Sequence, residues 1–272
     1  MDFGASQGAI FPGIQLQGAV ELLVQHLIAS LRIGAFFLSS PFLGSRYVQP
    51  TIKIMMALVL TILIADKTPM PDSNIIGSAL GIAIIIKEIA IGLCAGLILT
   101  IWFAAGSLAG EKVASSSGLG FASQMDPDAG GQTPVVAQLF MLFLTVVFLS
   151  LDGHLIAISV IMKSYEISPI AEFPNILTMV DAGIKAAGWM FMAASLIMLP
   201  VVSMLLMINV TIGIITRSAP TLNLFSFGFP ISMISVFIIL YSASSVIGFA
   251  FSDLVDMALE HLESVIGGLG VG

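Results

Sequence analysis

The fold class is decided by the run Ala186–Thr216, AAGWMFMAASLIMLPVVSMLLMINVTIGIIT, which contains no charged residue and no histidine. A helix needs about 20 largely apolar residues to cross the hydrocarbon core of a bilayer, and this run is longer than that. Pro200 lies near its middle and predicts a kink, because proline removes a backbone donor and clashes with the preceding turn. The run therefore predicts a membrane helix.

The composition extends this prediction to the whole chain. Hydrophobic residues make up 58% of the 272 positions and charged residues 9%, and the mean hydropathy is +1.09. Because a soluble domain carries about 25% charged residues, this chain has too few polar side chains to cover its surface in water. Its apolar surface must face lipid or partner subunits. The net charge of −7 argues against nucleic acid as a partner, since phosphate binding requires clustered Lys and Arg.

Charged residues and prolines divide the chain into hydrophobic segments of helical length. Six is the count adopted, with five or seven left open because the second segment is short. The residues between the fourth and fifth segments are predicted to form a polar loop. The segments are Ile14–Leu38, Thr51–Ala65, Ile75–Leu108 (interrupted at Lys87-Glu88), Pro134–Leu151, Ala186–Thr216 and Ile231–Phe251.

These segments predict an all-α, membrane-associated fold of hydrophobic helices and helical hairpins. No long linker divides the chain, so one domain is predicted over residues 1–272. Its end, residues 253–272, is predicted to be an acidic amphipathic helix followed by a glycine-rich tail. The acidic residues that fall on one helical face are Asp253, Asp256, Glu260 and Glu263.

Glycines recur at a spacing of four, which makes a flat stripe on a helix. In membranes, such stripes allow two helix backbones to approach closely. The stripe is a face that packs on another subunit, a face that packs within this chain, or a chance pattern in a glycine-rich protein, and the spacing does not choose among them. The pairs are Gly77 and Gly81, Gly92 and Gly96, and Gly106 and Gly110.

Lys87 and Glu88 lie within the third apolar segment. Ionisable groups inside a membrane segment are expensive and often functional, so an ion or proton relay is one interpretation. A second acid-rich helix to serve as relay partner is missing from the sequence. The favoured interpretation is therefore that both groups pair with neighbours or lie at a membrane surface.

Asp152-Gly153-His154 places a carboxylate next to an imidazole. A metal site needs three or four converging ligands, and His26 and His261 show no ligand spacing relative to this group. The glycine indicates instead a turn at the membrane edge. Since the sequence also lacks a nucleophile triad and a phosphate-binding loop, it predicts no enzyme, no metal and no cofactor. The single cysteine, Cys94, excludes an intrachain disulfide.

The segment from Gly110 to Gln124 is rich in small, weakly polar residues and is predicted to be flexible. Non-helical backbone at membrane depth survives only where it is buried in protein or lines a cavity. Small residues would let such a segment fold into a pore and obstruct it, and would also let it move aside. The alternative is an ordinary exposed loop, which composition alone favours.

The most specific string in the chain is NVTIGIITRSAPTLNLFSFGFP, residues 209–230. It resembles the signature of the FliR family of flagellar type III export proteins, called SctT in injectisomes. The resemblance extends over almost the whole chain, although Thr221 and Lys53 stand where Gln and Arg are usual, so a contact made by that Gln amide is in doubt. The other agreeing pieces, in order, are Arg32, Pro41-Phe42-Leu43-Gly44, Glu88 with Gly92 and Gly96, Asp126-Pro127, Phe148-Leu149, Asp152-Gly153-His154, and Ser164 with Pro169.

The resemblance implies a structural, pore-forming subunit of the flagellar protein export gate that resembles a fusion of FliP and FliQ. The implied partners are FliP-like and FliQ-like subunits, an FlhB-like protein and unfolded flagellar subunits as cargo. The implied location is the bacterial inner membrane at the flagellar basal body, with helices that need not each cross the bilayer. The alternative is a small-solute secondary transporter, which would show inverted repeats and ionisable groups converging at mid-membrane. Only Lys87 and Glu88 hint at it.

The resemblance also assigns roles to residues. The small-residue segment matches the part of the family that plugs the closed pore, and we expect the plug at Gly110, Ser115, Ser116, Ser117, Gly118, Leu119, Gly120 and Phe121. A second group is expected to cap helices or pack on other subunits: Gly92, Gly96, Arg217, Asn223, Gly228 and Pro230. Lys87 and Glu88 are expected to be a buried charged pair.

Overall fold

The computed structural model describes residues 16–45, 48–65, 78–119, 134–170, 172–173, 176–219 and 227–270. Within these ranges the chain forms eight helices and no strand, which confirms the predicted all-α fold. The helices are α1 (Leu16–Ser39), α2 (Pro50–Ala65), α3 (Ala79–Ser116), α4 (Val135–Ser150), α5 (Gly153–Ile167), α6 (Ile176–Ser218), α7 (Phe229–Ser242) and α8 (Ser244–Gly268).

Helix α5 corrects the sequence analysis, because the polar loop predicted after the fourth segment is mostly helical. Lys163 and Glu166 are exposed on one face of α5, and charges on an exposed face do not end a helix. The opposite face is apolar at the spacing of an amphipathic helix. Its buried residues are Ala157, Val160, Ile161, Ser164 and Tyr165.

Two sharp bends separate consecutive helices, and one of them divides a segment that hydropathy shows as continuous. Helices α7 and α8 meet at Ala243 with a bend of 66°, so the predicted sixth segment is two helices rather than one. Neither proline nor glycine marks this bend, which is why the sequence does not reveal it. Helices α4 and α5 are bent by 67° at Leu151–Asp152, where Asp152 has a φ of 55°. This position is the turn predicted from Asp152-Gly153-His154.

Three helices, α1, α3 and α6, are long and apolar enough to cross a membrane. The number rises to five if each bent pair is one span, and α2 is a shorter apolar helix. The six predicted segments thus correspond to α1, α2, α3, α4, α6 and the α7–α8 pair, while α5 lies in the predicted polar loop. Their hydrophobic character follows from sequence, whereas the division of the sixth segment does not.

Helix α3 is longer than predicted. It continues through Lys87-Glu88 and through the predicted end at Leu108, and stops only at Ser116. The residues from Gly110 to Ser116 are therefore its last turns, and the prediction of a flexible, non-helical segment is wrong for them. Glycine, alanine and serine are compatible with a helix whose backbone packs closely on a neighbour. The later plug residues Gly120 and Phe121 lie outside the described residues.

The described residues form two compact units, each with its own core. The first is drawn from residues 1–97, 158–181 and 262–272, and buries Arg32, Phe36, Ile91 and Tyr165. The second consists of residues 98–157 and 182–261. Its core includes two edge-to-face aromatic pairs, Phe103 with Phe148 at 5.1 Å and Phe140 with Phe251 at 5.5 Å between ring centroids. The single domain over residues 1–272 stays a prediction.

Candidate functional site

The first unit is centred on a buried ion pair between α1 and α3. Arg32 Nε donates to Glu88 Oε2 at 2.8 Å, and Arg32 Nη2 donates to Glu88 Oε1 at 2.9 Å. Both side chains have 0% exposure. This two-point geometry matches the planar guanidinium to the planar carboxylate, which makes it one of the stronger ionic contacts in proteins.

The remaining donors of Arg32 reach α5 and the turn after it. Nη1 donates to Ser164 Oγ and Nη2 donates to the Ser168 carbonyl, both at 2.9 Å. The guanidinium also lies over the ring of Tyr165, 4.2 Å from its centroid, and the Tyr165 hydroxyl donates to the Ala29 carbonyl at 2.6 Å. Arg32 therefore joins α1, α3 and α5 at one point.

Lys87 holds the turn that follows α5. Its Nζ donates to the carbonyls of Pro169, Ile170 and Glu172, each at 2.9 Å, and lies 2.8 Å from Glu88 Oε1. The cluster contains two cations and one carboxylate, so one positive charge has no carboxylate of its own. Backbone carbonyls at the negative end of the α5 dipole stabilise that charge. This is the pairing that the sequence analysis favoured over a relay. Arg32 was missed as the partner, although it is the first Lys or Arg in the chain.

The glycines of α3 bring two other helices of the same chain close to it. A Cβ on Gly92 would collide with the carbonyl oxygen of Arg32, and a Cβ on Gly96 would collide with Ser39 Oγ. Both neighbours belong to α1. The face expected to pack on another subunit is thus occupied by this chain, which is the alternative that the spacing left open.

The second glycine pair faces α4 in the second unit. A Cβ on Gly110 would lie 2.5 Å from the Cα of Ala137, and a Cβ on Gly106 would lie 3.1 Å from Leu144 Cδ2. Gly110 therefore allows the backbones of α3 and α4 to touch. Gly110 thus serves helix packing within the chain, and its role in a plug stays a prediction.

The expected plug residues of the described chain lie at the carboxyl end of α3. Ser115, Ser116 and Ser117 donate their hydroxyls to carbonyls of their own helix, those of Glu111, Lys112 and Ala114, at 2.8 to 2.9 Å. Gly118 follows with a φ of 81°, the left-handed conformation in which glycine commonly ends a helix. Ser117 and Gly118 are buried, Ser115 is exposed, and Leu119 is half-buried.

Residues of α6 and α7 contact this helix end. Asn209 Nδ2 donates to the Ser116 carbonyl at 3.0 Å, and Ser232 Oγ donates to Asn209 Oδ1 at 3.1 Å. A Cβ on Gly118 would lie 2.9 Å from the ring of Phe229. A cavity of 340 Å³ adjoins these contacts and is lined by hydroxyl, amide and backbone groups together with Ile212 and Phe229. Asn209 and Ser232 were not among the predicted site residues, although Asn209 opens the most specific string.

The other predicted packing residues lie around the connection from α6 to α7. Arg217 is exposed in the last turn of α6, where a cation complements the helix dipole. Gly228 precedes α7, and Pro230 occupies its first turn, a position that tolerates proline. Asn223 lies outside the described residues. The observed roles are at helix ends, and contacts with other subunits stay a prediction.

Comparison of the sequence with known proteins assigns the chain to a family. The model of the family described as bacterial export proteins, family 1, matches residues 23–258. The chain is 34% identical over 214 residues to the flagellar biosynthetic protein FliR of Pectobacterium carotovorum subsp. carotovorum, covering 79% of this chain and 82% of that protein. The chain belongs to the FliR family of bacterial export proteins. It is also similar to FliR of Bacillus subtilis (strain 168), with 29% identity over 94% of this chain and 100% of that protein.

The range that matches the family model includes both sites, because it contains every residue from Arg32 to Ser232. Within the described ranges, no three side chains of His, Cys, Asp or Glu are grouped so that they could hold a metal. The groups at the end of α3 are neutral hydrogen-bonding groups, whereas the ion cluster of the first unit is saturated by its own contacts. At both sites, the observed hydrogen bonds and ion pairs fix the positions of neighbouring backbone segments.

Proposed function

We propose that this chain is a pore-forming, non-enzymatic subunit of the flagellar type III export gate in the bacterial inner membrane at the flagellar basal body. It assembles with FliP-like and FliQ-like subunits, associates with an FlhB-like protein, and passes unfolded flagellar subunits across the membrane. FliR-family membership supports the export role. The assembly with other subunits is supported by the length and exposure of α6.

Helix α6 is too long and too exposed for lipid alone to cover it. At about 1.5 Å per residue, its 43 residues extend about 65 Å, whereas the hydrocarbon core of a bilayer is about 30 Å thick. Even a tilt of about 40° accommodates only about 40 Å of helix. Yet only 28% of its span is buried within the chain, and large apolar side chains are exposed near both ends, such as Leu177 at 75% and Ile214 at 62%.

The uncovered apolar surface outside the hydrocarbon core must therefore be covered by protein. Hydropathy scores lipid-facing and protein-facing surfaces alike, whereas the length and exposure of α6 favour protein as the cover of its ends. The pore is supported by the position of the small-residue segment, whose helical part ends beside a cavity and is held there by a hydrogen bond from Asn209. We infer that the residues from Ser115 onward form the plug of the closed pore.

The transporter alternative loses its supporting residues in this structure. Both oxygens of Glu88 accept from cations, and the ammonium of Lys87 is surrounded by three carbonyls and Glu88. A relay group must exchange its partners during transport, and these groups instead hold α1, α3 and α5 together. The ion cluster supports a structural role.

The test is an affinity-tagged copy of the full chain in flagellated cells, compared with the same copy lacking Ser115–Gly120. The intact chain should recover FliP-like and FliQ-like subunits in mild detergent. The deletion should recover the same subunits while the cells leak ions, because the plug is missing. Failure to recover these partners with the intact chain would overturn the assembly, and unchanged membrane conductance with the shortened chain would overturn the plug.

A further inference from the structure

The end of α3 is held by one amide side chain that no part of the proposed function requires. Asn209 lies on α6, and its amide donates to the carbonyl of Ser116 on α3 while accepting from the hydroxyl of Ser232 on α7. An amide is suited to this position because it offers a donor and an acceptor at once. Three helices of the second unit are thereby joined through one residue.

The hydrogen bond to Ser116 meets a need created by the helix end. The last four carbonyls of a helix have no intrahelical donor, and Ser116 is the last residue of α3. Its own hydroxyl is directed back to Lys112 O and does not serve this carbonyl. Asn209 supplies the missing donor, so losing the amide leaves the end of α3 without that partner.

The surroundings permit the helix end to move once this contact is lost. The 340 Å³ cavity is lined by Ser115, Ser116, Ser117, Asn209 and Ser232, among others, so open space adjoins the contact. On the other side, the Phe229 ring lies so close to Gly118 that a Cβ added there would be 2.9 Å from it. A single neutral hydrogen bond is weak enough to break in use, unlike the ion cluster of the first unit.

We propose that Asn209 is a positioning residue that holds the end of α3, and with it the start of the plug, in the closed position. Opening then requires the hydrogen bond between Asn209 and Ser116 to break. This inference rests on the proposed pore function. Both ends of the string from Asn209 to Pro230 place a residue beside the end of α3, Asn209 and Phe229.

The test replaces Asn209 by Leu, which keeps the size of the side chain but neither donates nor accepts a hydrogen bond. Asn209→Gln keeps the amide, and Thr211→Val is the matched control, since the Thr211 hydroxyl donates to Met207 O of its own helix. Membrane conductance is measured in cells with the complete gate, and assembly is measured by recovery of the partner subunits. We expect Asn209→Leu to raise the leak about two- to tenfold, the shift in population on losing one neutral hydrogen bond.

Assembly should be unchanged in all three variants, Asn209→Gln should leak less than Asn209→Leu, and Thr211→Val should not leak. If Asn209→Leu does not assemble, Asn209→Ala is measured in its place, because it also removes the donor to the Ser116 carbonyl and adds no apolar bulk. The deletion of Ser115–Gly120 is measured in parallel. A leak from the deletion without a leak from an assembled Asn209→Leu or Asn209→Ala variant overturns the role of Asn209 alone, whereas no leak from the deletion contradicts the plug itself.

Discussion

At the scale of single residues, the ion cluster of the first unit shows how a buried charge is retained in an apolar chain. Removing a charge from water costs several kcal/mol per ion, and the cost is offset only by near-ideal geometry and further hydrogen bonds. Arg32 meets both conditions through Glu88, Ser164 and the Ser168 carbonyl. Glu88 in turn is the only carboxylate placed against two buried cations among the described residues.

Glu88→Gln should therefore destabilise the chain strongly. The amide keeps the shape but leaves Arg32 and Lys87 as two buried cations without an anion, and breaking a buried pair costs about 3 to 5 kcal/mol. The measurement is the free energy of unfolding of the detergent-solubilised chain in an SDS titration. Glu263→Gln is the control, because Glu263 pairs with Lys163 at 3.8 Å on the surface, with both side chains more than 60% exposed.

Surface pairs contribute about 0 to 1 kcal/mol, so the control should unfold like the natural chain. Equal unfolding free energies for Glu88→Gln and Glu263→Gln would show that the cluster does not stabilise the fold.

At the scale of helices, the glycine stripe of α3 determines which neighbour lies against it. Gly92 and Gly96 face α1, and Gly106 and Gly110 face α4. One helix thus uses two glycine pairs for two different partners in the same chain. Close backbone contact of this kind is a main source of helix association in membranes, where hydrophobicity does not favour one apolar neighbour over another.

Gly92→Ala should weaken the chain itself. The added methyl group meets the Arg32 carbonyl oxygen, which belongs to the backbone and cannot rotate away. Overpacking of this kind costs about 1 to 3 kcal/mol. Gly34→Ala is the matched control on α1, since nothing lies within 4 Å of its added Cβ. Alanine favours a helix by about 1 kcal/mol over glycine, so this control should be neutral or slightly stabilising.

Unfolding of the isolated chain and recovery of partner subunits should be measured together for both glycine variants. If Gly92→Ala leaves the isolated chain as stable as Gly34→Ala but abolishes recovery of partners, then Gly92 serves a subunit contact instead.

At the scale of the whole molecule, helix α6 carries a large share of the exposed apolar side chains. Helices α3 and α6 have 38 and 43 residues, so each is longer than the roughly 20 residues that span the hydrocarbon core. Half of the α3 span is buried within the chain, against 28% of the α6 span. Among the three helices long enough to cross a membrane, α6 is the least buried within the chain, and we expect partner subunits to cover it most.

Labelling of single cysteines along α6 should show whether lipid or protein covers its exposed apolar side chains. In a Cys94→Ser background, cysteines replace Leu177, Leu196 or Ile214, which are 59% to 75% exposed. Because lipid covers only part of the helix, at least one end position should react with a water-soluble maleimide in membranes without partner subunits. The same position should be protected in the complete gate.

Val201→Cys is the control for this labelling, because Val201 is fully buried within the chain and should be unreactive in both samples. Equal reactivity of the end positions with and without partner subunits would mean that other proteins do not cover α6.

Much of the fold follows from local properties of the sequence. The all-α class, the hydrophobic segments and the FliR-family resemblance depend on the length and hydropathy of runs such as Ala186–Thr216 and on an ordered set of short strings. These properties need no knowledge of neighbours in space. Where the local signal is ambiguous, the prediction failed: charges on the exposed face of α5 resemble a loop, and small residues at the end of α3 resemble a flexible segment.

The sequence by itself determined that this chain is a bundle of apolar helices and that it belongs to a protein-export family. Only the tertiary structure decided that Arg32 meets Glu88, 56 positions away, that Gly92 faces α1, and that Asn209 contacts the end of α3. The physical reason is that an apolar or glycine-lined helix face is equally suited to lipid, to its own chain or to a partner. The choice among them depends on three-dimensional packing, which local spacing does not record.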